Sequence, residues 1–170
     1  METNDAQLPS NHLVGEELIA EHSELFDKAL AAWHVGNDGY ISCTLSFENG
    51  SMIIVPPIED EYYRLIRVPK SRKEACCVEY QNSDLNDVMM EGERMIREFG
   101  DKKSAMKDAI WRNGSASQGQ VKLLKNFGIT NVQGLTKGRA AQLITHHICV
   151  ERIENENNWS VLPPFPPKGA

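Results

Sequence analysis

The stretch Trp33-His-Val-Gly-Asn-Asp-Gly-Tyr-Ile-Ser-Cys-Thr-Leu-Ser-Phe47 decides the fold. Two runs of strand-forming residues flank Gly36-Asn-Asp-Gly39, a composition that supplies the backbone freedom of a hairpin turn, with Tyr40 or Ile41 as the inward candidates. Beyond it, Glu48-Asn-Gly-Ser51 marks a second turn before Met52-Ile-Ile-Val-Pro-Pro57. Tyr62-Tyr-Arg-Leu-Ile-Arg-Val68 and Ala75-Cys-Cys-Val-Glu-Tyr80 follow, each bounded by polar residues. Together these runs predict an antiparallel meander of four or five strands within residues 33–82.

On both sides the apolar period changes from two to between three and four. Leu18, Ile19, Phe26, Ala29 and Leu30 fall at helical spacing over 16–32, broken at His22-Ser23, so residues 1–32 are read as an N-terminal helical segment. After the sheet, Ser83 is placed to cap a helix that turns Leu85, Val88, Met89, Met95 or Ile96, and Phe99 toward one sheet face and closes at Gly100. A shorter helix is expected over Lys102 to Trp111, with Met106, Ile110 and Trp111 inward and Lys102, Lys103 and Lys107 outward. Met89, Met90, Met95 and Met106 read as adaptable core filler.

Two capped helices come next. Ser117-Gln-Gly-Gln120 matches the capping box, in which the hydroxyl accepts one free N–H and the glutamine side chain returns to the cap residue. Val121, Leu124 and Phe127, with Leu123 beside them, give an apolar face that ends at Gly128. Thr136 caps the second helix, with Ala140, Leu143, Ile144 and Ile148 inward. Lys137 and Arg139 occupy its first turn, where a cation opposes the helix dipole, an arrangement that fits an anionic partner such as a phosphate.

Charge distribution points the same way. Residues 1–101 carry 8 Lys or Arg against 20 Asp or Glu, whereas residues 102–152 carry 9 against 2, inside a net charge of −6. A surplus of cations confined to the helical second half fits a polyanion, because neutralised phosphates release their counterions. Docking on an acidic protein surface is the competing reading. Lys107, Arg112, Lys122, Lys125, Lys137 and Arg139 are the candidate nucleic-acid contacts.

Other chemistries lack their motifs. The sequence holds no G-x-x-x-x-G-K-[ST], no G-x-G-x-x-G after a strand and no H-E-x-x-H, so no catalytic residue is assigned. Cys43, Cys76, Cys77 and Cys149 lack C-x-x-C spacing and read as reduced core thiols. His146-His147 are adjacent, not four apart, so one is expected half-buried and the other exposed, with no metal site. Glu59-Asp-Glu61 reads as a polar turn. No run of 18 apolar residues appears, the acidic start Met1-Glu-Thr-Asn-Asp5 is unlike a targeting segment, and the Pro-rich 153–170 reads as a flexible tail.

Trp111-Arg-Asn-Gly-Ser-Ala-Ser-Gln-Gly-Gln-Val-Lys-Leu-Leu124, followed by Leu135-Thr-Lys-Gly-Arg-Ala-Ala-Gln-Leu-Ile144, resembles the C-terminal accessory region of fungal mitochondrial superfamily-two DNA helicases of the branch-migration family. Ala32-Trp-His-Val-Gly-Asn-Asp-Gly-Tyr-Ile-Ser42 is similar to the strand that opens that region. Residues 117–148 also resemble helix-loop-helix DNA-binding modules of the SAP kind. The likeness spans about residues 30–150 and is most specific over 111–144. It implies a mitochondrial parent that uses ATP and magnesium to remodel branched or duplex DNA, with its motor upstream and this chain as a non-catalytic domain without a cofactor of its own. The implied partners are DNA, or RNA as a second polyanion, and the motor domains of the same parent, with no membrane. The expected architecture is therefore α+β: an antiparallel meander covered by helices, with 83–152 as the helical nucleic-acid-contacting part and a basic helix-loop-helix unit at its end.

Overall fold

The computed structural model describes residues 15–46 and 48–156. The helices α1 (Gly15–Glu21) and α2 (Ser23–Lys28) lead into five strands, β1 (His34–Val35), β2 (Ile41–Ser46), β3 (Gly50–Val55), β4 (Tyr63–Val68) and β5 (Cys77–Asn82). Each strand pairs antiparallel with the next, so sheet order is chain order and the meander is as expected. Then come α3 (Leu85–Phe99), α4 (Lys102–Ala105), a 3-10 turn (Ile110–Asn113), α5 (Gln118–Asn126) and α6 (Lys137–Asn155). The fold is α+β.

Helices cover both faces of the sheet. Ile41, Cys43, Leu45, Met52, Ile54 and Leu65 pack with Leu85, Val88, Met89, Met95 and Ile96 of α3. The alternate residues Ile53, Val55, Ile66, Val68 and Val78 pack with Cys149 and Ile153 of α6. Successive side chains of a strand point to opposite faces, so a strand covered twice reads as the unbroken apolar run Met52-Ile-Ile-Val55. Cys43, Cys76, Cys77 and Cys149 are all free thiols. Burial pushes Cys149 up to about 12 and Cys76 up to about 11, which keeps both as neutral core groups.

Several expected details are corrected. The cap of α3 is Asp84, whose carboxylate accepts from Asn86 N–H, and not Ser83. Phe99 and Met90 are exposed, not inward. The first helical segment ends at Lys28, since the following backbone is claimed elsewhere. The N–H groups of Leu30 and Ala31 and the indole N–H of Trp33 all donate to Glu93 of α3, at 2.9, 3.1 and 2.8 Å. The segment also pairs with the chain after α4: Ala32 N–H donates to Ala105 and Lys107 N–H to Leu30. That long-range pairing, with a bridge between Ala31 and Met106, stops α4 at Ala105 and leaves Ile110 and Trp111 exposed where they were expected inside.

α6 runs to Asn155, so the expected tail from 153 begins inside the helix, and the tail from 157 on lies outside the described residues. Its inward residues are Gly138, Ala140, His146, Cys149, Arg152 and Ile153; Leu143 and Ile144 are half-buried and Ile148 is exposed. Arg152 is sealed because its guanidinium donates to Pro69 O at 2.7 Å and Glu74 O at 2.8 Å and pairs with Glu156, fastening α6 to the β4–β5 connection.

Candidate nucleic-acid interface

The starts of α5 and α6 are built together. Ser115 and Thr136 form an antiparallel bridge, Ala116 N–H donates to Leu135 O at 3.0 Å, and Lys137 N–H donates to Gly114 O at 2.7 Å. The capping box is complete: Gln120 N–H donates to Ser117 Oγ at 3.1 Å and Ser117 N–H to Gln120 Oε1 at 2.9 Å. The same glutamine reaches across, its Nε2 donating to Lys137 O at 3.3 Å. Thr136 Oγ1 accepts from Arg139 N–H, so both helices carry side-chain caps at one junction.

The 3-10 turn seats this junction on the rest of the molecule. Arg112 is buried; its Nε donates to Met106 O at 2.8 Å, its Nη2 to Ser104 O at 2.6 Å, and its guanidinium lies 4.6 Å from the Trp111 ring centroid. Burial draws the Arg112 pKa below its ordinary value. Gly138 of α6 presses on this side chain so closely that a Cβ there would stand 2.7 Å from Arg112 Cβ.

The six candidate cations therefore divide. Lys122 and Lys125 are exposed on α5 and line one shallow groove with Ala116, Gln118 and Val121. Lys137 is exposed at the start of α6 beside Gly114. Arg139 is exposed but turned toward β1, where its Nη1 donates to His34 Nδ1 at 2.8 Å. Lys107 donates to the carbonyls of Phe26 and Asp27 in α2, at 3.4 and 3.0 Å. Arg112 faces inward and is a seat for the junction, not a surface cation. Of these six, Lys122, Lys125 and Lys137 are the ones whose side chains make no hydrogen bond or ion pair among the described residues.

Sequence reasoning missed a polar chain beneath the interface. His146 is buried with Nδ1 2.7 Å from Ser42 Oγ and Nε2 3.1 Å from both oxygens of Asp38. The His34 ring meets it edge-on at 4.6 Å, and His147 stacks on Phe127 at 3.9 Å, joining α6 to the end of α5. Two adjacent histidines gave only the signal that one would be half-buried; nothing local named Ser42 or Asp38 as its partners.

The family model described as the mitochondrial helicase Irc3, C-terminal domain, matches residues 31–160. No curated protein and no solved structure matches the chain. The matched span takes in the whole sheet, α3 and both capped helices, and it agrees with the helicase parent and mitochondrial location implied by residues 111–144. The domain is the C-terminal part of a mitochondrial helicase, and the chain belongs to the family of the Irc3 C-terminal domain.

Proposed function

We propose that this domain is a non-catalytic DNA-contacting accessory of its helicase parent, holding the phosphate backbone of branched or duplex DNA with Lys122, Lys125 and Lys137, with Arg139 and Lys107 at the margins. One observation carries the reading: from Ala109 to Val150 the chain has no Asp or Glu at all. Elsewhere several cations are spent on carboxylates, as in Lys28 with Glu24, Arg64 with Asp60, Arg67 with Glu79 and Arg94 with Glu91. Lys122, Lys125 and Lys137 have no such neighbour among the described residues. Unneutralised cations, Lys137 at the start of α6 and Lys122 and Lys125 along α5, suit backbone phosphates, which they would position without reading base sequence. ATP and its magnesium are handled by the motor in this reading.

Binding of labelled forked and linear duplex DNA between 50 and 200 mM salt tests it. Affinity should fall steeply with salt, with each phosphate contact contributing about 0.9 to the slope of log K against log salt. Lys137→Glu/Arg139→Glu should weaken binding to every DNA alike. Unaltered affinity in that double variant would assign the basic unit to the alternative, docking on the motor or another acidic protein surface.

A further inference from the structure

Ile110 is 86% exposed, the most exposed of the large apolar side chains among the described residues. It is also rigidly mounted. Trp111, next to it and 37% exposed, donates its indole N–H to Lys103 O. The Arg112 guanidinium lies over the same ring and is itself held by Ser104 O and Met106 O. Ala109 N–H and Arg112 N–H close the turn on Met106 O and Ala109 O. An apolar tip fixed at its base gains nothing for the fold from pointing into water, and this one does so.

Its surroundings say what it meets. Lys103 and Lys107 are exposed on the same segment, with Asp108 the single acid between Lys107 and the tip. On the other side the turn packs on the start of α6 through Arg112 and Gly138 and leads by Gly114 to Lys137. An apolar partner protein would not call for cations on both flanks, whereas a DNA base does, since it is an apolar plate fastened to an anion. Proteins that bend or open duplexes insert isolated Ile, Leu or Phe side chains between base steps in this way.

Building on the phosphate-backbone reading above, we propose that Ile110, seated on Trp111, is a wedge that enters the opened base step at a DNA branch point and so favours branched over linear DNA. Lys103 and Lys137 hold the phosphates to either side, and the turn, fixed through Trp111 and Arg112, presents the isoleucine to the base.

The test uses the full chain and forked and linear duplexes carrying 2-aminopurine at the branch point or mid-duplex. The wild-type chain should brighten the branch-point probe as the base unstacks and prefer the fork. Ile110→Ser, at a side chain with almost no internal contact, should lose about tenfold on the fork and the brightening with it, while its linear-duplex affinity and salt slope stay unchanged. Equal affinities of the variant and the wild type for the fork, with the brightening retained, would overturn the wedge and give the tip to a protein contact. A wild-type chain that binds both DNAs equally, without brightening, also overturns the wedge but leaves the phosphate reading standing. Absence of any salt-dependent binding overturns both.

Discussion

The Ser42 hydroxyl of β2 stands 2.7 Å from Nδ1 of His146 on α6, with both residues buried against each other across the sheet face. Asp38 meets the opposite ring nitrogen, Nε2, so each nitrogen of the imidazole has its own partner, the serine hydroxyl at Nδ1 and the carboxylate at Nε2. Ser42 is 1% exposed, so the chain of three groups braces the first hairpin against α6. His146→Leu strands a buried hydroxyl and should cost about 1–3 kcal/mol. Urea unfolding checks it; a midpoint equal to the wild type's would show that the brace carries no stability.

His34, between Arg139 and His146, gives the domain a pH dependence. Burial first, then the charges of His146 and Arg139, push its pKa down to about 4, with Asp38 opposing. The unfolded chain protonates His34 near 6.5 and the folded chain only near 4. Between those values the unfolded state holds the extra proton, so stability falls as pH drops from 6.5 to 4 and then levels off; the amplitude from this group is at most about 3 kcal/mol. Asp38 adds a later loss. Burial alone would raise its pKa, but the hydrogen bond and charge of His146 hold it below 3.8, so its contribution disappears as pH falls through that lower folded value. His34→Gln retains an acceptor for Arg139 and should flatten the fall between pH 6.5 and 4. Denaturation midpoints at pH 4.5 and 7 measure this, and an undiminished difference would count against it.

Signals that act over a few residues were legible. The Gly36-Asn-Asp-Gly39 turn and the Ser117/Gln120 box each specify their own neighbourhood, and hairpin and cap stand where the residues place them. Ile110 misled because it sits four residues after Met106, a helical spacing, while the backbone there is captured by Ala31 and Ala32 about 75 residues away. Arg152 carries no local signal of its burial. A basic residue near a helix end reads as solvated, and only the two carbonyls of the β4–β5 connection make its burial tolerable. The same limit applies to the interface: sequence composition identified the basic half, but which cations are spent internally depends on carbonyls such as Ser104 O and Phe26 O that no local pattern marks.

Gly138 and Gly128 are required for different reasons, and substitution should separate them. At Gly138 a Cβ would stand 2.7 Å from Arg112 Cβ and 3.2 Å from Arg112 O, so Gly138→Ala should destabilise by about 1–3 kcal/mol despite its better helix propensity. Gly128 has φ of 88° with nothing within 4 Å of a Cβ, so Gly128→Ala costs only left-handed strain, about 1–2 kcal/mol. Asparagine tolerates that backbone, so Gly128→Asn should recover part of the loss while Gly138→Asn recovers none. Thermal unfolding of the four variants decides it; recovery at position 138 would mean that Arg112 yields its place.

Arg112 and the α5 lysines, grouped together by sequence, should part company in one experiment. Arg112 meets two carbonyls with two different nitrogens, a geometry a single ammonium cannot reproduce. Arg112→Lys should therefore lower stability by about 1–3 kcal/mol and leave the salt slope of DNA binding unchanged under conditions where the variant is folded. Lys122→Gln/Lys125→Gln removes two exposed side chains with no partner among the described residues, so stability should move by less than about 0.5 kcal/mol. Its salt slope should fall by about 1 to 2, one step for each phosphate released. The reverse pattern, a reduced slope for Arg112→Lys at full stability and an unchanged slope for the lysine pair, would place the buried guanidinium on the DNA and remove α5 from the interface.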